Sequence, residues 1–367
     1  MPSFLIDFSA AYVDSHGTSI FSAFSTPGRE INGLAYFVLA ITAGIFLVVS
    51  ILLVHVITRY RARPGDNSEP PQVFGSLQVE LSWTIIPTLI IVVLFLTTAR
   101  VLFSVQDAPK PPTALDVVVT GHQFWWEFQY PQYGVVTANE LHLPLSTPAA
   151  PRASFLKLTS ADVIHSFWVP ALTGKTDLLP NRVNEMWIDP QDPGLYVGQC
   201  AQFCGAQHAK MLLRVYVDTP EQFQQWIASQ QKTQPELGTS DVGQANEGSA
   251  NGHVMKVAGL PSGLNGISAD SVGNMAEAKL GQADFERETC FACHTISGTM
   301  AFGRVGPDLT HLMSRETLAS GIIPNNAQNL KAWIADPDRF KPGSLMPSLH
   351  LSDQENTEIT AYLLTLK

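Results

Sequence analysis

The chain is poor in charge. Asp, Glu, Lys and Arg make up 15% of its 367 residues, where soluble proteins average about a quarter. No charged residue occurs from Ile31 to Thr58, and none from Leu81 to Ala99. A single soluble core is therefore not the natural expectation for this length, and two or three domains are. The chain has no internal repeat and no nucleic-acid motif, and its net charge is −10. That charge reads most simply as a solvated acidic surface, with steering of a basic partner as the other reading. Cysteine is scarce, at four, and the ten histidines are scattered rather than clustered. Residues 231–275 lack any aromatic side chain.

The two uncharged stretches are long enough to cross a bilayer. At ~1.5 Å per residue, 81–99 alone spans roughly 28 Å, close to the hydrocarbon thickness. Two membrane helices are expected, over about 31–58 and 81–103, forming a hairpin over 31–108. Pro87 in the second is tolerable where a neighbouring helix packs against it. No basic region precedes the first stretch, so it does not resemble a signal peptide. Arg59, Arg61 and Arg63 follow it directly, which places the loop of residues 59–80 on the cytoplasmic side. The segment 1–30 and everything beyond the hairpin then lie outside.

The four cysteines fall in two pairs. Cys200, Cys204, His208 and Met211 form C-x3-C-x3-H-x2-M. Two thiolates, an imidazole and a thioether are a soft donor set that favours copper. One ion needs fewer ligands than this loop offers, whereas two thiolates four residues apart can bridge a pair of coppers. His165, in DVIHSFWVP, is placed to supply a second imidazole. A disulfide would leave His208 and Met211 unexplained. A lone blue-copper site usually has one cysteine, and structural zinc does not select methionine.

Cys290, Cys293 and His294 form C-F-A-C-H, the c-type haem attachment motif. The thiols add to the haem vinyls and the histidine becomes an iron ligand. The two sites use all four cysteines.

Between them the chain changes character. Within 111–230, LDVVVT, FWWEFQY, ASFLKLT, EMWID and MLLRVYVD are strand-like and punctuated by Gly and Pro. No useful helix appears before PEQFQQWIASQ. An antiparallel barrel or sandwich is expected over 109–230, with copper ligands on its loops. His122 and His142 read as structural or exposed. Residues 231–275 read as a flexible linker. A helical domain follows over 276–367, where Ser352 and Glu355 make a capping box. Ile359, Tyr362, Leu363 and Leu366 there share one helical face.

Together with QVELSW, GHQFWWEFQY and HSFWVPALTGKTDLLPNR, these motifs resemble subunit II of the haem–copper cytochrome c oxidases, in the branch with a fused cytochrome c. The resemblance covers nearly the whole chain. It implies a membrane hairpin, an all-β cupredoxin-like Greek-key domain and an all-α class I cytochrome c domain. It implies a dinuclear CuA centre bridged by Cys200 and Cys204, one copper taking His165 and the Gln202 carbonyl, the other His208 and, weakly, Met211. It implies one covalent haem c, with the Pro307 carbonyl against His294, Arg315 at a propionate and Met346 as distal ligand; Met300 and Met313 are rivals. Phe285 and Tyr362 resemble the contact between first and last helices of small cytochromes c. The implied role is to pass electrons from a donor, cytochrome c or an upstream complex, through haem c and CuA to haem a of subunit I. Oxygen reduction and proton translocation belong to subunit I, so no catalytic nucleophile is expected in this chain. Partners would be subunit I, a subunit III and the bacterial inner membrane. Glu80 resembles a residue at the mouth of a proton-input path. Two departures stand out. Phe124 occupies the family's electron-input tryptophan position, and Gln202 replaces a magnesium-binding glutamate, which leaves a magnesium site open. A membrane-anchored electron-transfer module outside any oxygen reductase is the alternative.

Overall fold

The computed structural model describes residues 19–61, 65, 69, 72, 74–107, 109–112, 114–232 and 269–367. Helices α1 (Thr26–Arg59) and α2 (Leu77–Gln106) form the hairpin. Each is apolar over a membrane-spanning length, and the apolar stretches are exposed rather than packed in a core. Both helices overrun the expected spans, because polar turns continue them into the domain beyond. Ser25 caps α1, its hydroxyl accepting from Gly28 N and donating to the Leu172 carbonyl. The Thr26 amide donates to Asp189 at 2.7 Å, and Trp187 Nε1 donates to the Val105 carbonyl at 2.7 Å. These contacts join the hairpin to the β domain. Pro87 lies inside a continuous α2. Arg63 and residues 1–18 fall outside the described residues.

Ten strands build two facing sheets. One has the order β3-β2-β1-β5-β8: β1 (Leu115–His122), β2 (Trp125–Tyr130), β3 (Val135–Ala138), β5 (Ser154–Ser160) and β8 (Asn184–Ile188). The other has the order β4-β10-β9-β6-β7: β4 (Glu140–Pro144), β6 (His165–Trp168), β7 (Thr176–Leu178), β9 (Gly194–Cys200) and β10 (Leu212–Asp218). The alternation legible in the sequence is realised: Leu115, Val117 and Val119 point inward from β1, with Asp116, Val118 and Thr120 less buried. Trp126, Phe128, Tyr130, Phe167 and Tyr196 are fully buried between the sheets. Each such side chain contributes roughly 1.5–3 kcal/mol. The sheets are not purely antiparallel: β1 runs parallel to β5, and β4 to β10. Long connections that cross between the sheets allow parallel neighbours, as in the cupredoxin-like arrangement that the resemblance implies. Helix α3 (Pro220–Gln230), closed by a Thr219/Gln222 capping box, packs Phe223 and Ile227 on the core.

Helix α4 (Ala269–Arg287) begins inside the stretch expected to be linker. A low apolar content at its start hid it. Residues 233–268 lie outside the described residues. Two short strands, β11 (Thr317–Leu318) and β12 (Ile323–Pro324), then α5 (Ala327–Ala335) and α6 (Asp353–Leu363) complete the C-terminal domain. The Ser352/Glu355 box caps α6, and Ile359, Tyr362, Leu363 and Leu366 are buried. Gly281 lets α4 and α6 cross closely: a Cβ there would stand 1.8 Å from the Glu358 carbonyl oxygen. Beside that crossing, Phe285 and Tyr362 meet edge-to-face at 5.8 Å.

Candidate metal centre and haem cavity

The metal loop leaves the end of β9 and returns at the start of β10. Cys200 is the last residue of β9, and His165 is the first residue of β6 rather than a loop residue. Gln202 and Cys204 lie on the loop, His208 opens a short 3-10 turn (His208–Lys210), and Met211 precedes β10. Both thiols are buried, with sulfurs 3.8 Å apart. That is well beyond a disulfide bond of ~2.05 Å. His165 Nδ1 lies 3.9 Å from Cys200 Sγ, and His208 Nδ1 lies 3.7 Å from Cys204 Sγ. Met211 Sδ is 3.9 Å from Cys204 Sγ, and the Gln202 carbonyl is 3.2 Å from Cys200 Sγ. Two sulfurs thus stand between two imidazoles, with a thioether and a carbonyl at the flanks. That donor set fits a copper pair.

The surroundings orient the ligands. His165 Nε2 donates to Asp162 at 2.8 Å, which leaves Nδ1 free to face the thiols. Gly121 admits this ring: a Cβ there would stand 2.7 Å from His165 Cδ2. The hydrogen bond between the two thiols pulls Cys200 below its ordinary value against the opposing effect of burial, and pushes Cys204 up. A metal would bind both as thiolates, with release of their protons. Asp162 and Gln123 escaped sequence reasoning. A carboxylate three residues before His165 was the available signal for Asp162.

The second site is a cavity lined by Cys290, Cys293, His294, Pro307, Arg315 and Met346. His294 Nδ1 donates to the Pro307 carbonyl at 2.8 Å, leaving Nε2 free. Burial pushes His294 below its ordinary value, which keeps a ligating imidazole neutral. Gly306 lies against the ring, where a Cβ would stand 2.5 Å from Cε1. Arg315 is buried, its Nη2 donating to the Asp308 carbonyl while its Nε has no partner among the described residues. A buried guanidinium with a free donor suits a propionate. Neither Met300, which is exposed, nor Met313 lines the cavity. These residues fit a covalent haem c.

The β domain closes this cavity. Gln123, Phe124 and Trp125 line it alongside the haem-motif residues. Phe124 is buried in the β core, and Gln123 Nε2 donates to the Cys204 carbonyl at 2.6 Å. His122 stacks on Trp125 at 4.1 Å, and burial pushes it down to about 4. His142 lies between Tyr216 and Trp226, with Nδ1 2.8 Å from Asp218. Neither histidine joins His165, Cys200 and Cys204 in the metal-ligand cluster. The Gln202 side chain is exposed, with no carboxylate cluster beside it among the described residues. Glu80 is exposed in the first turn of α2.

Comparison with known proteins fits this arrangement piece by piece. Residues 15–101 match the family described as Cytochrome C oxidase subunit II, transmembrane domain, and residues 144–217 match its periplasmic domain. Residues 278–367 match the Cytochrome c family. Cytochrome c oxidase subunit 2 of Alkalihalophilus pseudofirmus is 31% identical over 332 residues, covering 89% of this chain and 84% of the relative. The chain belongs to the cytochrome c oxidase subunit 2 family. The subunit of the same name from Bacillus sp. (strain PS3) is 30% identical over 326 residues, covering 84% of this chain and 80% of the relative. A crystal structure of the periplasmic domain of cytochrome oxidase subunit II of Bradyrhizobium japonicum is 29% identical, with a TM-score of 0.31, covering 33% of this chain and 95% of that one. The chain is thus a membrane-anchored subunit of a haem–copper oxidase, carrying a cupredoxin-like domain and a cytochrome c domain.

Proposed function

We propose that this subunit holds a dinuclear CuA centre on His165, Cys200, Gln202, Cys204, His208 and Met211, and one haem c on Cys290, Cys293, His294 and Met346. When bound, the two groups supply a one-electron relay from a donor to haem a of subunit I, where oxygen is reduced to water and protons are translocated. The chain's own part is to hold and orient. Cys200 and Cys204 would hold the metal as thiolates, both having released their protons. Asp162 fixes the proton on His165 Nε2. Pro307 does the same for His294 Nδ1, and Arg315 offers its free Nε–H to a propionate. The thiol-loop donors already lie within 4 Å of one another, neighbour to neighbour.

The observation that carries this reading is the shared wall. Gln123 lines the haem cavity and donates to the carbonyl of Cys204. Two redox sites this close suit internal transfer, so external donors would reduce the haem domain first. Phe124 at the family's tryptophan position agrees with that, since its outer face is the cavity. Removing the cytochrome domain should slow turnover with soluble cytochrome c far more than reduction by a small artificial donor. Equal activity with and without the domain would refute the reading.

In the membrane, we place the arginines after α1 in the bacterial cytoplasm and both redox domains on the periplasmic side, against subunit I and a subunit III. The domain order is a segment over 1–30, the hairpin over 31–108, the copper domain over 109–230, a linker over 231–275 and the cytochrome domain over 276–367. A magnesium at the boundary with subunit I would have to draw on the neutral Gln202 amide and on partner groups. Glu80, at the cytoplasmic start of α2, collects protons for subunit I.

A further inference from the structure

Seven polar contacts and one close glycine approach, among others, tie the cytochrome domain to the β domain. They converge on two places. The first is Glu140 on β4, which is 3% exposed. Its Oε1 accepts from the Thr317 amide at 2.9 Å and the Thr317 hydroxyl at 2.7 Å, and its Oε2 accepts from the Glu316 amide at 3.1 Å. One carboxylate thus binds the leading end of β11 through three donors. Arg214 on β10 pairs with Glu316 at the exposed rim, at 3.1 Å.

The second place is the metal loop itself. Lys341 is 4% exposed, and its Nζ donates to the Phe124 carbonyl at 3.0 Å. Ser320 donates to the same carbonyl at 2.8 Å. Lys210, from the turn that holds His208, donates to the Phe340 carbonyl at 2.8 Å. Gly343 has φ 84, and a Cβ built on it would stand 3.3 Å from the Ala206 side chain. Lys341 and Gly343 belong to KPGSLMPS, the segment that carries Met346. The methionine-bearing segment therefore rests directly on the metal loop. A buried lysine aimed at a backbone carbonyl, and a buried glutamate aimed at backbone amides, are costly to leave unpaired. Neither group would be buried in a domain drifting on a tether.

We propose that Glu140 and Lys341 are positioning residues for electron transfer, clamping the cytochrome domain so that the haem cavity keeps Gln123 and Phe124 as its wall. The proposal rests on the copper and haem assignments above. Glu140 sets the lateral register through β11, and Lys341 sets the approach of the Met346 segment. Gln123 then spans from the cavity to Cys204 without any movement of either domain. Glu140→Gln keeps the shape but turns an amide N–H toward the amides it should accept from. Lys341→Met keeps the length and removes the donor.

The test uses the complete purified oxidase. Hydrogen exchange at the Glu316 and Thr317 amides is followed alongside the rate of haem-to-copper electron transfer after rapid photoreduction. Each variant should raise exchange at these amides by up to about tenfold, the change expected for losing one hydrogen bond. Transfer should slow in parallel, while reduction of the haem by a small artificial donor is unchanged. Thr317→Val removes the hydroxyl from the opposite side, and combined with Glu140→Gln it should add little. It also carries the test if Glu140→Gln disturbs the β domain. Wild-type exchange and wild-type transfer in Lys341→Met and Thr317→Val would overturn the clamp. Failure of the underlying assignments would show separately, as a missing copper or haem spectrum in the unaltered protein.

Discussion

The side-chain amide of Gln123 donates to the Cys204 carbonyl at 2.6 Å, while its backbone amide donates to Asp162 at 2.6 Å. Asp162 in turn accepts from His165 Nε2 at 2.8 Å. One residue at the end of β1 therefore ties together a thiolate ligand and the carboxylate that orients an imidazole ligand. Outer partners of this kind typically control affinity by about 10–100-fold. Asp162→Ala should weaken copper binding by about that range, with the haem spectrum intact. Copper titration against a competing chelator measures it. Wild-type affinity would mean that β6 alone orients His165.

The docked interface should respond to pH. Burial, with Lys210 nearby, pushes Lys341 down from 10.5 to about 7. Once undocked and hydrated, its value returns toward 10.5, so the undocked form binds more protons throughout this window. Stability therefore rises with pH in that range. Docking should strengthen from about 7 toward 10.5, and the full cost of burying an ammonium applies below about 7. After correction for intrinsic exchange, protection of the Glu316 and Thr317 amides should rise between these limits. Lys341→Met should flatten the slope. An unchanged slope in that variant would assign the effect to another group.

Met346 lines the cavity with His294, and Met300 is exposed. The methionine–iron charge-transfer band of the oxidised protein should vanish in Met346→Ala and persist in Met300→Ala. The reverse pattern would reassign the distal ligand. Loss of the thioether should also lower the haem potential, since methionine–histidine ligation raises it.

Glu80 stands in the first turn of α2, three residues before Trp83. An ionisable group at a membrane boundary is a functional candidate by default. Glu80→Gln keeps size and polarity but removes titration. Oxygen consumption should slow, with copper and haem spectra intact. Wild-type turnover in a fully assembled variant would leave only an anchoring role at the interface.

How much of this was legible in the sequence depended on the range of the contact. The ligand candidates could be named because soft donors at fixed spacing have few other uses. The hairpin came through because uncharged runs of that length have few alternatives. Five strands were readable from β-branched and aromatic runs, and all five formed. Strands β3, β4, β6, β7 and β9 were not, because they are short or interrupted by glycine. His165 was expected on a loop for that reason, and it opens β6 instead. The capping box at Ser352 was readable because it is local. Glu140 and Lys341 were invisible, since their partners lie 177 and 217 positions away and only the docked fold brings them together. The parallel pairing of β1 with β5 was likewise unreadable, because strand alternation does not encode a neighbour's direction.

The central claim is that two coppers share the Cys200–Cys204 bridge within reach of the haem. Electron paramagnetic resonance of the oxidised purified complex, with metal analysis on the same sample, tests it most directly. The account predicts two coppers at this site sharing one unpaired electron, and loss of that mixed-valence signal in Cys204→Ser. A single-copper four-line spectrum, or zinc at full occupancy, would contradict it.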